Sequence, residues 1–333
     1  MNMKEQALKV LHGTTPDILP SYFTTCQIMV CSAYPDNPPG TASGHWEDAY
    51  GVTQVQEGGT WTVDTSVPSV IDDIDSWRDQ LVFPDPEAVD WEQVSAIDEK
   101  IFHPDRENMV VDLLCTKGIF ERMHFLMGFE DTVCSLLTDE DEARAFADAV
   151  TDIKLAWIEK MLTYYKPDML SFQDDYAFKD GLFFSKDTFR EIFKPNLKRV
   201  IDLVHDHGVI AKIHCCGKME DLLDEYIELG ADCLDPVQPV NDIVSMLDKA
   251  EGKIGLVGGL DFQNVIDRPD ATEEMIRAEV RRACDTYGGK GPYMVYGASV
   301  RQQDPTAYAP GQVMGIVIDE YVNYVLKGGQ KVA

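Results

Sequence analysis

The chain has 333 residues, 44% hydrophobic and 26% charged, the proportions of a globular protein with a full core. Lys and Arg number 29 against 58 Asp and Glu, a net charge of −29, and a surface of that sign repels phosphate backbones and anionic lipid, so we expect neither a nucleic-acid nor a membrane partner. No run reaches the roughly 18 apolar residues of a membrane-spanning helix, and the eight scattered cysteines read as reduced thiols of a cytoplasmic protein.

The opening, MNMKEQALKVLHG, is amphipathic and lacks the apolar core of a secretory leader. The segment 1–105 is irregular and rich in Pro, Gly, Trp and Tyr; we expect an N-terminal extension plus the first elements of the fold, with one strand over 22–30. A strand is predicted at 110–114. The helix predicted over 139–165 carries Phe146, Val150, Ile153, Trp157 and Met161 at three-to-four spacing, with Thr138 as its N-cap. A strand at 169–172 leads to Asp174 and Asp175. The next helix is capped by Ser185, interrupted at Pro195 and stopped by Gly208.

From there the rhythm is regular. Strands are expected at 209–215, 233–237, 254–257 and 293–296, and helices at 218–229, 242–250, 272–287 and 312–326. Five βα units after residue 169 imply a parallel sheet, and we expect one α/β domain over 1–333, a (β/α)8 TIM barrel with an extended N-terminal segment.

Barrels of this kind place their chemistry at the C-terminal ends of the strands, which ranks the polar residues there. These are Asp174 and Asp175, His214 and Cys216, Asp235 and Gln238, and Asp261. Within Ile213-His214-Cys215-Cys216-Gly217, strand alternation puts His214 and Cys216 on one face and Cys215 on the other. An imidazole and a thiolate so placed can share one zinc ion; the plainer reading is a buried His beside small apolar thiols at a strand end. The aspartates are candidate general acids or bases, metal ligands, or helix and turn caps. Trp46, Tyr50, Phe172 and Tyr176 are candidate pocket or core aromatics. No Walker loop, dinucleotide fingerprint or serine nucleophile elbow is present.

The order of these motifs resembles the uroporphyrinogen-decarboxylase-like superfamily. The likeness rests on Asp174-Asp175, the run 184–189, Lys194-Pro195, and His214-Cys215-Cys216-Gly217. It continues through 230–235 with Pro239 and Gly258-Gly259-Leu260-Asp261, and the opening 15–20 and 48–51 are similar too. The decarboxylases of that superfamily bear an Arg-rich motif near the N-terminus, and 20–30 contains no Arg here. The other branch, corrinoid-dependent methyltransferases, carries His-x-Cys plus a distant Cys as a zinc site, and His214 and Cys216 match the first part of that motif.

The resemblance therefore implies zinc held by His214 and Cys216, with Asp174, Asp175, Asp235 and Asp261 as catalytic candidates supplying a ligand, a proton or an orienting hydrogen bond. The segment 297–300, where a third ligand belongs by analogy, has no Cys, and Cys284 falls on a predicted helix, so a carboxylate oxygen is the alternative. The resemblance also implies a corrinoid supplied by a partner protein and a small-molecule methyl donor or acceptor, such as a methoxylated aromatic in O-demethylation. The rival readings are a uroporphyrinogen-type decarboxylase and a non-catalytic barrel that binds a tetrapyrrole or corrinoid.

Overall fold

The computed structural model describes residues 2–37, 44–57, 60–301 and 304–328. Twelve strands occur among them: β1 Cys26–Val30, β2 His45–Glu47, β3 Thr53–Glu57, β4 Thr60–Val63, β5 Val110–Cys115, β6 Met169–Gln173, β7 Ala177–Phe178, β8 Gly181–Leu182, β9 Ile210–His214, β10 Cys233–Val237, β11 Gly255–Gly259 and β12 Tyr293–Tyr296. Seven of them form one parallel sheet in the order β1-β5-β6-β9-β10-β11-β12. Eight were expected. The sheet nonetheless curls towards closure: Ser21 bridges Val295 in parallel, and the Val295 N–H donates to Pro20 O at 3.0 Å. The chain just ahead of β1 thus lies against β12, with the helical turn Tyr22–Thr25 between it and β1. That turn occupies the first part of the strand expected over 22–30.

Alternation along the strands sorts two layers. Val111, Leu113, Leu170, Phe172, Ala211, Ile213, Leu234 and Leu256 pack outward into the main core, against the helices. Val110, Met169, Ile210, Cys233, Val257 and Met294 turn inward and join Ala7, Val10 and Leu11 of the helix Met3–Leu11, which closes the lower end of the sheet. The approach is close enough that a Cβ on Gly255 would lie 2.1 Å from Val10 O.

The helices follow the sequence with small shifts. The long one runs Glu140–Tyr165, but Asp139 holds its N-cap position. Thr138 instead ends the preceding helix, Phe129–Thr138, its hydroxyl donating to Cys134 O and Asp139 Oδ2. Ser185 does cap its helix, accepting from Thr188 N. A π-helical turn, Phe189–Phe193, precedes the regular helix Lys194–Asp206, so Pro195 sits in a first turn where its missing N–H costs nothing. Two small pieces decorate the sheet: an antiparallel β2-β3-β4 and the β7-β8 hairpin after β6. No described helix is long and apolar enough to cross a membrane.

Candidate metal centre and its pocket

Inside the sheet a column of polar side chains rises from the apolar floor. Asp112 on β5 accepts from the Tyr22 hydroxyl and the Ser171 hydroxyl, each at 2.6 Å, and lies 2.7 Å from Lys212 Nζ. Lys212, on β9, reaches Asp235 Oδ2 at 3.2 Å, and Asp235 Oδ1 faces His214 Nδ1 at 3.3 Å. All but His214 are buried, so each charge is matched by its neighbour.

His214 ends β9 with its ring in this interior, as alternation from Ile210 and Lys212 requires. Its Nδ1 and the Asp235 Oδ1 are buried, and among the described residues neither meets a hydrogen bond of good geometry. At 3.3 Å they are each other's neighbour, so the tautomer assigned from this neighbourhood puts the proton on Nδ1 and the lone pair on Nε2. Nε2 lies 3.5 Å from Cys216 Sγ and 4.0 Å from Asp175 Oδ1. One ligand atom from each of Asp175, His214 and Cys216 lies within 4.8 Å of the other two.

The loop that carries Cys216 is held at several points. Asp175 Oδ1 accepts the Cys216 N–H and Gln238 Oε1 accepts the Gly217 N–H, both at 2.6 Å, while Asn241 Oδ1 accepts from Met219 and Glu220. Gly217 has φ +88°, and a Cβ there would lie 2.7 Å from Phe178 O, so only glycine lets the loop pass the β7-β8 hairpin.

Electrostatics fit a cation. Burial by itself lowers the His214 imidazole, but Asp235 and Asp175 outweigh it and hold it above its ordinary value. Burial, then Asp175, push the Cys216 thiol well up, so without a positive charge nearby it keeps its proton. Burial raises Asp235, and Lys212 and His214 more than reverse that, leaving it below the usual carboxylate range. An imidazole nitrogen, a thiol and a carboxylate around one point are donors zinc accepts, and a divalent ion would relieve the crowding of acids about the sulfur. Asp175, His214 and Cys216 are thus a chemically suitable donor set for a divalent cation.

The structure gives Asp174 and Asp261 capping partners of their own. Asp174 turns away from Asp175 and caps the helix Ile119–Met127, accepting from Ile119, Phe120 and Glu121 N–H and from the Tyr176 hydroxyl. Burial pushes its carboxyl up to about 6 against those hydrogen bonds. Asp261 caps the turn Phe262–Ile266 by accepting from Asn264 N at 2.9 Å. Tyr50, Phe172 and Tyr176 are buried core, while Trp46 is half-exposed and lies 5.7 Å from the Lys117 ammonium. Cys284 is buried in the main core, and Ser299, in the segment where a third ligand was sought, donates instead to Asp267. The third side chain beside His214 and Cys216 is Asp175, two residues past the end of β6.

Sequence reasoning missed Glu121, whose carboxyl is held well above its usual range by burial, then by Asp175 and Asp174. It sits in the first turn of the helix Ile119–Met127, which follows β5 closely, on the side where the strand-end rule points. Asp112 was also missed; it lies inside a strand rather than at its end.

Beside Cys216 opens a cavity of about 550 Å³, lined among others by Gln238, Leu260, Asp261 and Phe262. That volume suits a small organic ligand.

The uroporphyrinogen decarboxylase (URO-D) family model matches residues 113–300, and the chain belongs to that family. Among solved structures, a methyltransferase from Methanosarcina mazei is similar in fold, with a TM-score of 0.66 at 14% identity, over 96% of this chain and 99% of that one. No curated protein sequence matches.

Proposed function

We propose that this member of the family is a zinc-dependent methyltransferase of the cytoplasm. It moves a methyl group between a small substrate, such as a methoxylated aromatic, and a corrinoid carried by a partner protein, as in anaerobic O-demethylation or other one-carbon metabolism. The observation that carries the reading is the grouping of Asp175, His214 and Cys216 at the C-terminal end of the sheet, with Cys216 lining a cavity of small-molecule size. The fold likeness to a methyltransferase supports it.

The zinc ion would be held by His214 Nε2, Cys216 Sγ and a carboxylate oxygen of Asp175, and would act as a Lewis acid on the atom bearing the methyl group. One thiolate and one carboxylate make a harder donor set than two thiolates, which favours an ether oxygen over a thiol as that atom. Asp235 keeps the His214 ring turned so that Nε2 faces the site. Lys212 keeps Asp235 ionised for that task. Phe178, Leu260 and Phe262 supply apolar wall to the cavity.

The decarboxylase alternative needs cations for a substrate bearing many carboxylates. Among the described residues lining the cavity, Lys179 is the one cation, and it lies 4.0 Å from Asp180. Elemental analysis of the purified protein tests the proposal: one equivalent of zinc is expected, lost in His214→Ala and in Cys216→Ala. Metal content unchanged in both variants would refute it, as would turnover of uroporphyrinogen by metal-free protein.

A further inference from the structure

Gln238 directly follows β10 and lines the same cavity as Cys216. Its Oε1 accepts the Gly217 N–H at 2.6 Å. A backbone N–H can only donate, so the atom facing it is the amide oxygen, and the –NH₂ end is turned away from Gly217. The residue is anchored from the other side as well: Gln238 O accepts from Asn241 N and from Asn241 Nδ2, both at 3.0 Å. Asn241 in turn donates to Gly217 O at 2.9 Å. Backbone and side-chain oxygen are thus both fixed, while among the described residues no acceptor takes a hydrogen from Nε2. A half-buried donor held this rigidly at a cavity wall is suited to reading a ligand.

We propose that Gln238 is a specificity-determining residue: its Nε2 donates to an acceptor oxygen of the substrate next to the methyl-bearing oxygen. This rests on the methyl-transfer reading. The methyl-bearing oxygen is destined for the Asp175–His214–Cys216 group, and Gln238 is tied to the residue after Cys216, so its donor meets a neighbouring atom of the same ligand. The preferred substrates are then methyl ethers with a second oxygen on the adjoining carbon. An ether lacking that oxygen leaves the amide N–H unpaired on binding, which weakens it about tenfold.

The test uses two ligands of nearly the same shape, 1,2-dimethoxybenzene and 1-ethyl-2-methoxybenzene, in which a CH₂ replaces the second oxygen. Calorimetric titration of the wild-type protein is expected to favour the diether about tenfold. In Gln238→Glu the Gly217 contact is kept and the donor is lost, so the preference disappears. Gln238→Met, which removes both, gives the same result if the glutamate variant folds poorly; melting curves and zinc content identify folded, loaded protein. Equal affinities in the wild type, no binding of either ether, or a preference that survives both substitutions overturns the inference. Wild-type protein that holds no metal yet discriminates between the ethers would sink the methyl-transfer reading and spare Gln238. Metal-bearing protein without discrimination would do the reverse.

Discussion

Asp175 and Cys216 are fastened to each other directly, the Cys216 N–H donating to Asp175 Oδ1 at 2.6 Å. The cause is strand register. Gln173 of β6 pairs with His214 of β9, so the residues two further along each chain, Asp175 and Cys216, emerge side by side. Two candidate donors, each just past the end of its strand, are therefore positioned by backbone pairing, and on the proposed reading an ion would demand little rearrangement.

Asp175→Asn keeps an acceptor for the Cys216 N–H but removes the negative charge. Zinc affinity is expected to fall about 10–100-fold while the melting temperature stays near that of the wild type. Asp175→Ala also frees the loop and is expected to lose more. Competition with a chromophoric chelator measures both, and affinity unchanged in the Asn variant would remove Asp175 from the site.

The column beneath the site gives a contrast between affinity and stability. Asp235→Asn loosens the His214 ring, and zinc binding is expected to weaken about 10–100-fold. Lys212→Met leaves Asp112 and Asp235 buried without their shared cation, at a cost of about 3–5 kcal/mol in urea unfolding. Lys212→Met as stable as the wild type would show that this ion network does not hold the sheet interior together.

Adjacent aspartates should behave differently. Asp174→Ala removes the acceptor for three backbone N–H groups and a tyrosine hydroxyl, so the loss is one of stability, about 2 kcal/mol or more. Asp261→Ala takes away a cap at the cavity wall and costs about 1 kcal/mol. Both are expected to retain zinc. Metal lost from folded Asp174→Ala would give that residue a direct role.

Acid sensitivity has an address away from the site. Glu225 is buried with Lys194 Nζ at 2.6 Å, Arg190 at 2.8 Å and Lys186 at 3.2 Å. Burial raises its carboxyl, yet the three cations hold it down at about 2 against an ordinary 4.5. The folded value lies below the unfolded one, so the stabilisation is present above pH 4.5 and drains away as the pH falls towards 2. The cations are partly exposed and screened by water, which limits the gain near neutral pH to about 1–3 kcal/mol. The stability difference between wild type and Glu225→Gln should be largest near neutrality and shrink at about pH 3; a difference independent of pH would contradict this.

Much of the fold was legible because its signals are local. The runs 233–237 and 293–296 are apolar, bounded by turn residues, and become strands at those limits. The His214–Cys216 alignment follows from alternation along β9 carried two residues past its end. What escaped depends on pairing between distant segments. Nothing local says that Asp175 rather than Asp174 faces His214, because neighbours in an extended chain point opposite ways and the register is set elsewhere. Asp139 displaced Thr138 because a separate helix, Phe129–Thr138, runs up to it. The β3-β4 pairing did have a signal, two alternating runs flanking Gly58-Gly59 in the sequence.

The helix Met3–Leu11 carries a kinetic consequence. By covering the floor it would leave, on the proposed methyl-transfer reading, the strand-end mouth as the shared doorway for both reactants. On that reading, a small compound would then be seated before a bulky protein-borne acceptor covers it, and its demethylated remnant would depart only after that visitor withdraws. Steady-state rates should accordingly show compulsory order, with an excess of the macromolecular reactant inhibiting by shutting the door on an empty chamber.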